Sequence, residues 1–96
     1  MSFTKIRLDE SRGQLLAAAG VALGVYIEQE KSKGDGWRDE SLSLLYKHLF
    51  NEVDDEVRIG IKTCNTSSLV RDAADAAVLS LMILARALEQ SGETSK

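Results

Sequence analysis

The fold class this sequence predicts is all-α: a bundle of about three main helices, completed by dimerisation. Three observations predict it. Proline is absent from all 96 residues, so nothing forces a break inside a long periodic segment. Apolar residues recur every three to four positions over long stretches rich in Ala, Leu and Glu, which are strong helix formers. The pattern is interrupted at only two places, both polar and one of them glycine-bearing.

The first helix is expected over residues 9–31, with Asp9 or Ser11 capping its start. Leu15, Leu16, Ala19, Val21, Ala22, Leu23, Val25, Tyr26 and Ile27 cover most of its circumference, which predicts burial on more than one side. Gly13, Gly20 and Gly24 interrupt it, each costing about 1 kcal/mol relative to Ala in a helix interior. Gly20 and Gly24 lie one turn apart, a spacing that suits tight core packing or a homodimer seam. The run Lys31-Ser-Lys-Gly-Asp-Gly-Trp37 then makes a loop.

Asp39 or Ser41 caps a second helix that continues to about residue 62, with Leu42, Leu45, Leu49, Val53, Val57 and Ile61 as its apolar stripe. Thr63-Cys-Asn-Thr-Ser-Ser68 is a polar loop in which Thr66, Ser67 or Ser68 caps the third helix, expected to residue 90. Leu69, Ala73, Ala76, Ala77, Leu81, Leu84 and Leu88 form its predicted core face. Residues 91–96 are expected to be a disordered tail, and no linker divides residues 1–96, so one domain is expected.

Composition narrows the chemistry. Cys64 is the only cysteine and His48 the only histidine, which excludes disulfides within the chain and a Cys-based zinc site. A metal site here must be built mainly from oxygen, which suits Mg²⁺, Mn²⁺ or Ca²⁺. A lone thiol fits a reducing compartment, and the charged first residues show no signal peptide, so a cytoplasmic location is expected. The net charge of −3 and the absence of a basic stripe argue against nucleic-acid binding. The longest apolar stretch, residues 15–27, is about 13 residues and too short to span a membrane.

Two acidic pairs carry the functional reading. Glu52-Val-Asp-Asp55-Glu56 lies on the second helix and Asp72-Ala-Ala-Asp75 on the third. Residues three or four apart share a helix face, so Glu52 faces with Asp55 and with Glu56, and Asp72 with Asp75. A short connection makes the two helices antiparallel neighbours and brings the pairs together. Carboxylates gathered in one place repel unless a hard cation neutralises them. Asp72 and Asp75 also sit among alanines in an apolar segment, where an unpartnered carboxylate is costly. The bland alternative is a first-turn acid favoured by the helix dipole, which fits Asp72 better than Asp75.

At these residues the sequence resembles the MazG-like all-α nucleoside triphosphate pyrophosphohydrolases, in particular the short phage-type members. That family carries a Glu-x-x-Glu pair on one helix and a Glu-x-x-Asp pair on the next; the counterparts here are Glu52-Val-Asp-Asp55 and Asp72-Ala-Ala-Asp75. Lys33-Gly-Asp-Gly-Trp37, Ser41-Leu-Ser-Leu-Leu and His48-Leu-Phe-Asn-Glu-Val resemble further elements of the family, and the likeness covers about residues 31–87. Asp55 and Asp72 stand where the family has glutamate, and Val78 where it often has asparagine.

The resemblance implies a Mg²⁺-dependent (or Mn²⁺-dependent) enzyme that cleaves an NTP or dNTP to the monophosphate and pyrophosphate. Glu52, Asp55, Asp72 and Asp75 are the implied metal ligands, and Glu52 or Glu56 the group that takes a proton from water. Lys31, Lys33 and Lys47 are candidate phosphate contacts, and Trp37 a stacking surface for a base or a plug over the bundle end. His48 is expected to be a packing or surface residue and Cys64 to be inert. Three helices, one of them apolar nearly all round, make an incomplete bundle, so a homodimer or higher homo-oligomer is expected. Two other readings fit the same residues: a MazG-like nucleotide- or metal-binding module with weakened catalysis, and a helical dimeric interaction protein without a site.

Overall fold

A computed structural model describes residues 3–92. Its elements are α1 (Phe3–Lys33), a 3₁₀ turn (Gly36–Asp39), α2 (Leu42–Asn51), a π-helical segment (Glu52–Val57), α3 (Arg58–Lys62) and α4 (Thr66–Ser91). No strand occurs among the described residues. The backbone stays helical through Asn51, Glu52, Val57 and Arg58, so α2, the π segment and α3 are one continuous rod. The molecule is thus three helical rods, as the periodicity predicts. No helix among the described residues is long and apolar enough to cross a membrane.

The second rod starts where the sequence placed it. Ser41 has extended backbone angles and its hydroxyl accepts from the Leu44 N–H at 3.1 Å. The other starts differ. Asp9 and Ser11 lie inside α1, Ser11 donating back to the Arg7 carbonyl at 3.0 Å. At α4 the cap is Asn65, whose side chain accepts from Ser68 N–H at 3.2 Å, and Thr66 to Ser68 are already helical. The ends of α1 and α4 follow glycines, Gly34 and Gly92, which take left-handed φ of 68° and 81°. Of the expected tail, Ser91 closes α4 and Gly92 caps it; the rest lies outside the described residues.

α4 is the hub, touching α1, the 3₁₀ turn, α2, the π segment and α3. Among the described residues the buried apolar ones are Ala22, Leu45, Ala74 and Val78. The core face of α4 is therefore rotated by one residue from the expected stripe: Ala74 and Val78 are buried, whereas Ala73, Ala77, Leu81 and Leu84 are exposed. Apolar residues surround α4 so fully that periodicity could not choose the face. On the second rod Leu45 is buried and Val57 half-buried, but Val53 and Ile61 are exposed, because the π segment shifts the phase of the stripe. Gly60 is buried, and a Cβ there would stand 3.4 Å from the Leu69 Cα, so the glycine allows the close return of α4.

α1 departs most from expectation. Only its C-terminal part packs on the chain; residues 7–21 are exposed, Leu15 and Leu16 at 72% and 76%. Gly13, Gly20 and Gly24 have no atom within 4 Å of where a Cβ would stand, so core packing within the chain does not explain them.

Candidate metal centre

Glu52 opens the π segment, and Asp72 and Asp75 lie in the first half of α4. One carboxylate oxygen from each lies within 4.8 Å of the other two, and all three residues are half-buried. Two of the three are oriented by neutral donors. The Gln29 side-chain amide, on α1, donates to Asp75 Oδ1 at 2.8 Å, and the Ser68 hydroxyl donates to Asp72 Oδ2 at 2.9 Å. Each aspartate keeps a second oxygen for another ligand. The Glu52 carboxyl is pushed above the ordinary carboxylate range, first by burial and then by the charges of Asp75, Asp72 and Glu56.

Asp55 does not join this group. It is exposed, and the π segment is the reason. A π turn spreads one revolution over more residues than an α turn, so Asp55, three positions after Glu52, falls further from the Glu52 face. Four positions come closer to a full turn, and Glu56, though exposed, lies near enough for its charge to act on Glu52. The π geometry is visible in the bond from Arg58 N–H to Val53 C=O, five residues back.

Beside the cluster lies a cleft of about 520 Å³, within the range of small-molecule sites. Glu52 and Asp75 stand at its acidic wall; Lys33, Trp37, His48 and Asn51 are among its other lining residues. Trp37 is half-buried and meets Tyr26 edge to face at 6.4 Å, its indole N–H donating to the Tyr26 hydroxyl at 3.1 Å. The Tyr26 hydroxyl donates in turn to Glu30 at 2.6 Å, and this bond raises the Tyr26 pKa. Arg86, half-buried on α4, donates to the carbonyl oxygens of Trp37, at 3.2 Å, and Glu40. One guanidinium therefore pins both ends of the turn that carries Trp37.

The remaining candidates separate. Lys33 lines the cleft. Lys31 does not; it is exposed and paired with Glu28 at 3.1 Å on its own helix. Lys47 is exposed and also absent from the cleft wall. His48, expected as a packing or surface residue, is exposed and lines the cleft. Gln29 and Arg86 escaped the sequence reading because a lone amide or guanidinium carries no spacing signal and their roles depend on which helix crosses which; Ser68, weighed only as a cap, stands four residues before Asp72 on the same helix, a spacing that could have revealed its bond.

The chemistry of the donor set fits a hard divalent cation: three carboxylates, two of them already oriented by hydrogen bonds. Mg²⁺ with ligands at 2.0–2.1 Å spans at most about 4.2 Å between opposite oxygens, and Ca²⁺ about 5 Å. Three oxygens spaced evenly around one ion stand closer than an opposite pair, about 3.6 Å apart for Mg²⁺ and about 4.3 Å for Ca²⁺, so oxygens within 4.8 Å of one another reach either ion after small side-chain shifts. Compared with family models, curated proteins and solved structures, the chain matches none.

Proposed function

We propose that the protein is a Mg²⁺-dependent (or Mn²⁺-dependent) pyrophosphohydrolase of the MazG-like kind, cleaving a nucleoside triphosphate to the monophosphate and pyrophosphate. The observation that carries this reading is the convergence of Glu52, Asp72 and Asp75 oxygens within 4.8 Å beside a cleft of about 520 Å³. Helical order Glu52 then Asp72-x-x-Asp75, and the resemblance of the flanking segments, support the family.

In this reading Glu52, Asp72 and Asp75 hold the cation, which supplies charge neutralisation at the phosphates and a more acidic water. Gln29 and Ser68 fix the two aspartates, so that the carboxylates need little rearrangement to bind. Lys33 offers an ammonium to phosphate oxygens at the cleft wall. The ring of Trp37, held by Tyr26 and by the Arg86 clamp on its carbonyl, offers a face to the base. Glu56, beside Glu52 and exposed to water, accepts the proton of the attacking water. Lys31 and Lys47 have no part.

The test is pyrophosphate release from a panel of canonical and modified nucleotides with Mg²⁺. Asp75→Ala and Glu52→Ala should abolish it; release that persists in Asp75→Ala removes the proposed site. A second reading draws on the exposure of Asp55, which leaves three carboxylates where the family pattern has four. The chain is then a nucleotide- or metal-binding module, and calorimetry showing nucleotide binding without turnover selects it.

A further inference from the structure

We infer that the exposed face of α1 from Asp9 to Lys31 is an interface between two copies of this chain, paired antiparallel about Gly20. The interface lies on the side of α1 opposite Gln29, which faces the acidic cluster, and does not depend on the proposed chemistry.

The chain is more open than a compact monomer of its size. Its accessible surface is 7329 Å², whereas a compact monomer of 10.5 kDa exposes about 5,400 Å². Even half of that excess exceeds the roughly 800 Å² per partner that a stable protein interface needs. The radius of gyration, 15.8 Å, compares with about 12.5 Å for a compact domain of this length. α1 matches the longest dimension: 31 residues of helix span about 46 Å, and the molecule measures 46 Å along its longest axis.

The exposed face is specific in composition. Asp9, Leu16, Gly20, Leu23, Ile27 and Lys31 follow at helical spacing along one side. Leu16, Leu23 and Ile27 are 76%, 53% and 54% exposed. Residues 13–27 carry no charge at all, so the face suits an equally uncharged helix, and a second α1 is one. Gly20 meets nothing inside the chain, which leaves the close approach of another backbone as the use of its missing Cβ.

The ends set the direction. The acid Asp9 lies at one end of the face and the base Lys31 at the other. Antiparallel pairing about Gly20 sets Asp9 of each copy against Lys31 of the second copy. Parallel pairing sets Asp9 against Asp9 and Lys31 against Lys31, which is repulsive. Asp9 and Lys31 already pair with Arg12 at 3.7 Å and Glu28 at 3.1 Å, so each end becomes a small mixed-charge network.

Sedimentation equilibrium of the full chain, with helicity followed by circular dichroism, tests this. The wild type should sediment as a dimer at micromolar concentration. Leu16→Glu and Gly20→Leu should each weaken the dimer roughly tenfold or more with helix content retained. Asp9→Lys should weaken it, and the double variant Asp9→Lys/Lys31→Asp should restore it. A monomeric wild type, or Gly20→Leu chains that dimerise as tightly as the wild type, overturns the interface. A charge-swapped double variant no tighter than Asp9→Lys overturns the antiparallel arrangement. Should Leu16→Glu lose helicity, the exposed charge swap decides.

Discussion

Replacing Glu52 by Gln should make the cation-free protein more stable and, at the same time, nearly blind to divalent ions. One carboxylate oxygen from each of Glu52, Asp72 and Asp75 lies within 4.8 Å of the other two. At that separation two unit charges repel by about 0.9 kcal/mol in water and about 3.5 kcal/mol at an effective dielectric of 20. Glu52 is only half-buried, so the lower figure is the better guide, and salt screens it further. Two such repulsions, from Asp72 and Asp75, leave about 1 kcal/mol or more to be relieved by a neutral amide of the same shape. For a chain of this size that is a rise in Tm of about 4–8 °C without added metal. With Mn²⁺ at a hundredfold its Kd, the wild type gains about 2.7 kcal/mol. Glu52→Gln loses one of three anionic ligands and should gain much less, so the order of the two melting points reverses between chelator and Mn²⁺. Differential scanning calorimetry in both conditions reads this directly. A Glu52→Gln protein that is less stable than wild type in chelator, or that responds to Mn²⁺ as fully, refutes the reasoning.

The same cluster makes cation binding pH-dependent. The Glu52 carboxyl is raised by burial and by its acidic neighbours, so just above the ordinary carboxylate range the folded chain holds a proton that the unfolded chain has released. Stability of the cation-free protein therefore falls as pH rises through that window, and Mn²⁺ affinity rises, because the ion displaces the proton; titration calorimetry from acid to neutral pH checks it, and a flat affinity contradicts it. Gln29→Leu frees Asp75 from its donor and should lower Mn²⁺ affinity about 10-fold or more, with the helix content unchanged. Arg86→Met removes the side-chain donor of the Glu40 carbonyl and one of the two donors of the Trp37 carbonyl, which keeps the Glu40 N–H, and should cost about 1–3 kcal/mol in a urea melt, with Trp37 fluorescence shifting toward that of an exposed indole. Cys64 sits at φ 56°, the position glycine usually takes in a helix ending where Asn65 N–H bonds back to Gly60 C=O; Cys64→Gly should be neutral or stabilising by up to about 1 kcal/mol in the same melt.

What the sequence disclosed and what it hid follow a physical line. Three rods, the Ser41 cap and the glycine stop after α1 are local matters, written in periodicity and turn chemistry. The meeting of Glu52 with Asp72 and Asp75 was also legible, because one short connection and i,i+3 spacing suffice to predict it. Asp55 was misplaced because a π segment inside a regular apolar repeat leaves no mark in residue types, yet it re-aims every side chain within it. The buried face of α4 was displaced by one residue because alanines surround it on several sides. The Leu15 and Leu16 side chains read as core from hydropathy alone; hydropathy does not distinguish a face covered within the chain from a face left bare. Gln29 and Arg86 act across 46 and 49 residues of sequence, respectively, and such pairings exist only once the rods have crossed.

Diffraction from crystals grown with Mn²⁺, collected at a wavelength where manganese scatters anomalously, tests the central claim most directly. The account predicts one strong anomalous peak bonded to an oxygen each of Glu52, Asp72 and Asp75, with Asp55 outside its coordination sphere. A well-ordered cluster with no peak in saturating Mn²⁺, or a peak held by other residues, would contradict it.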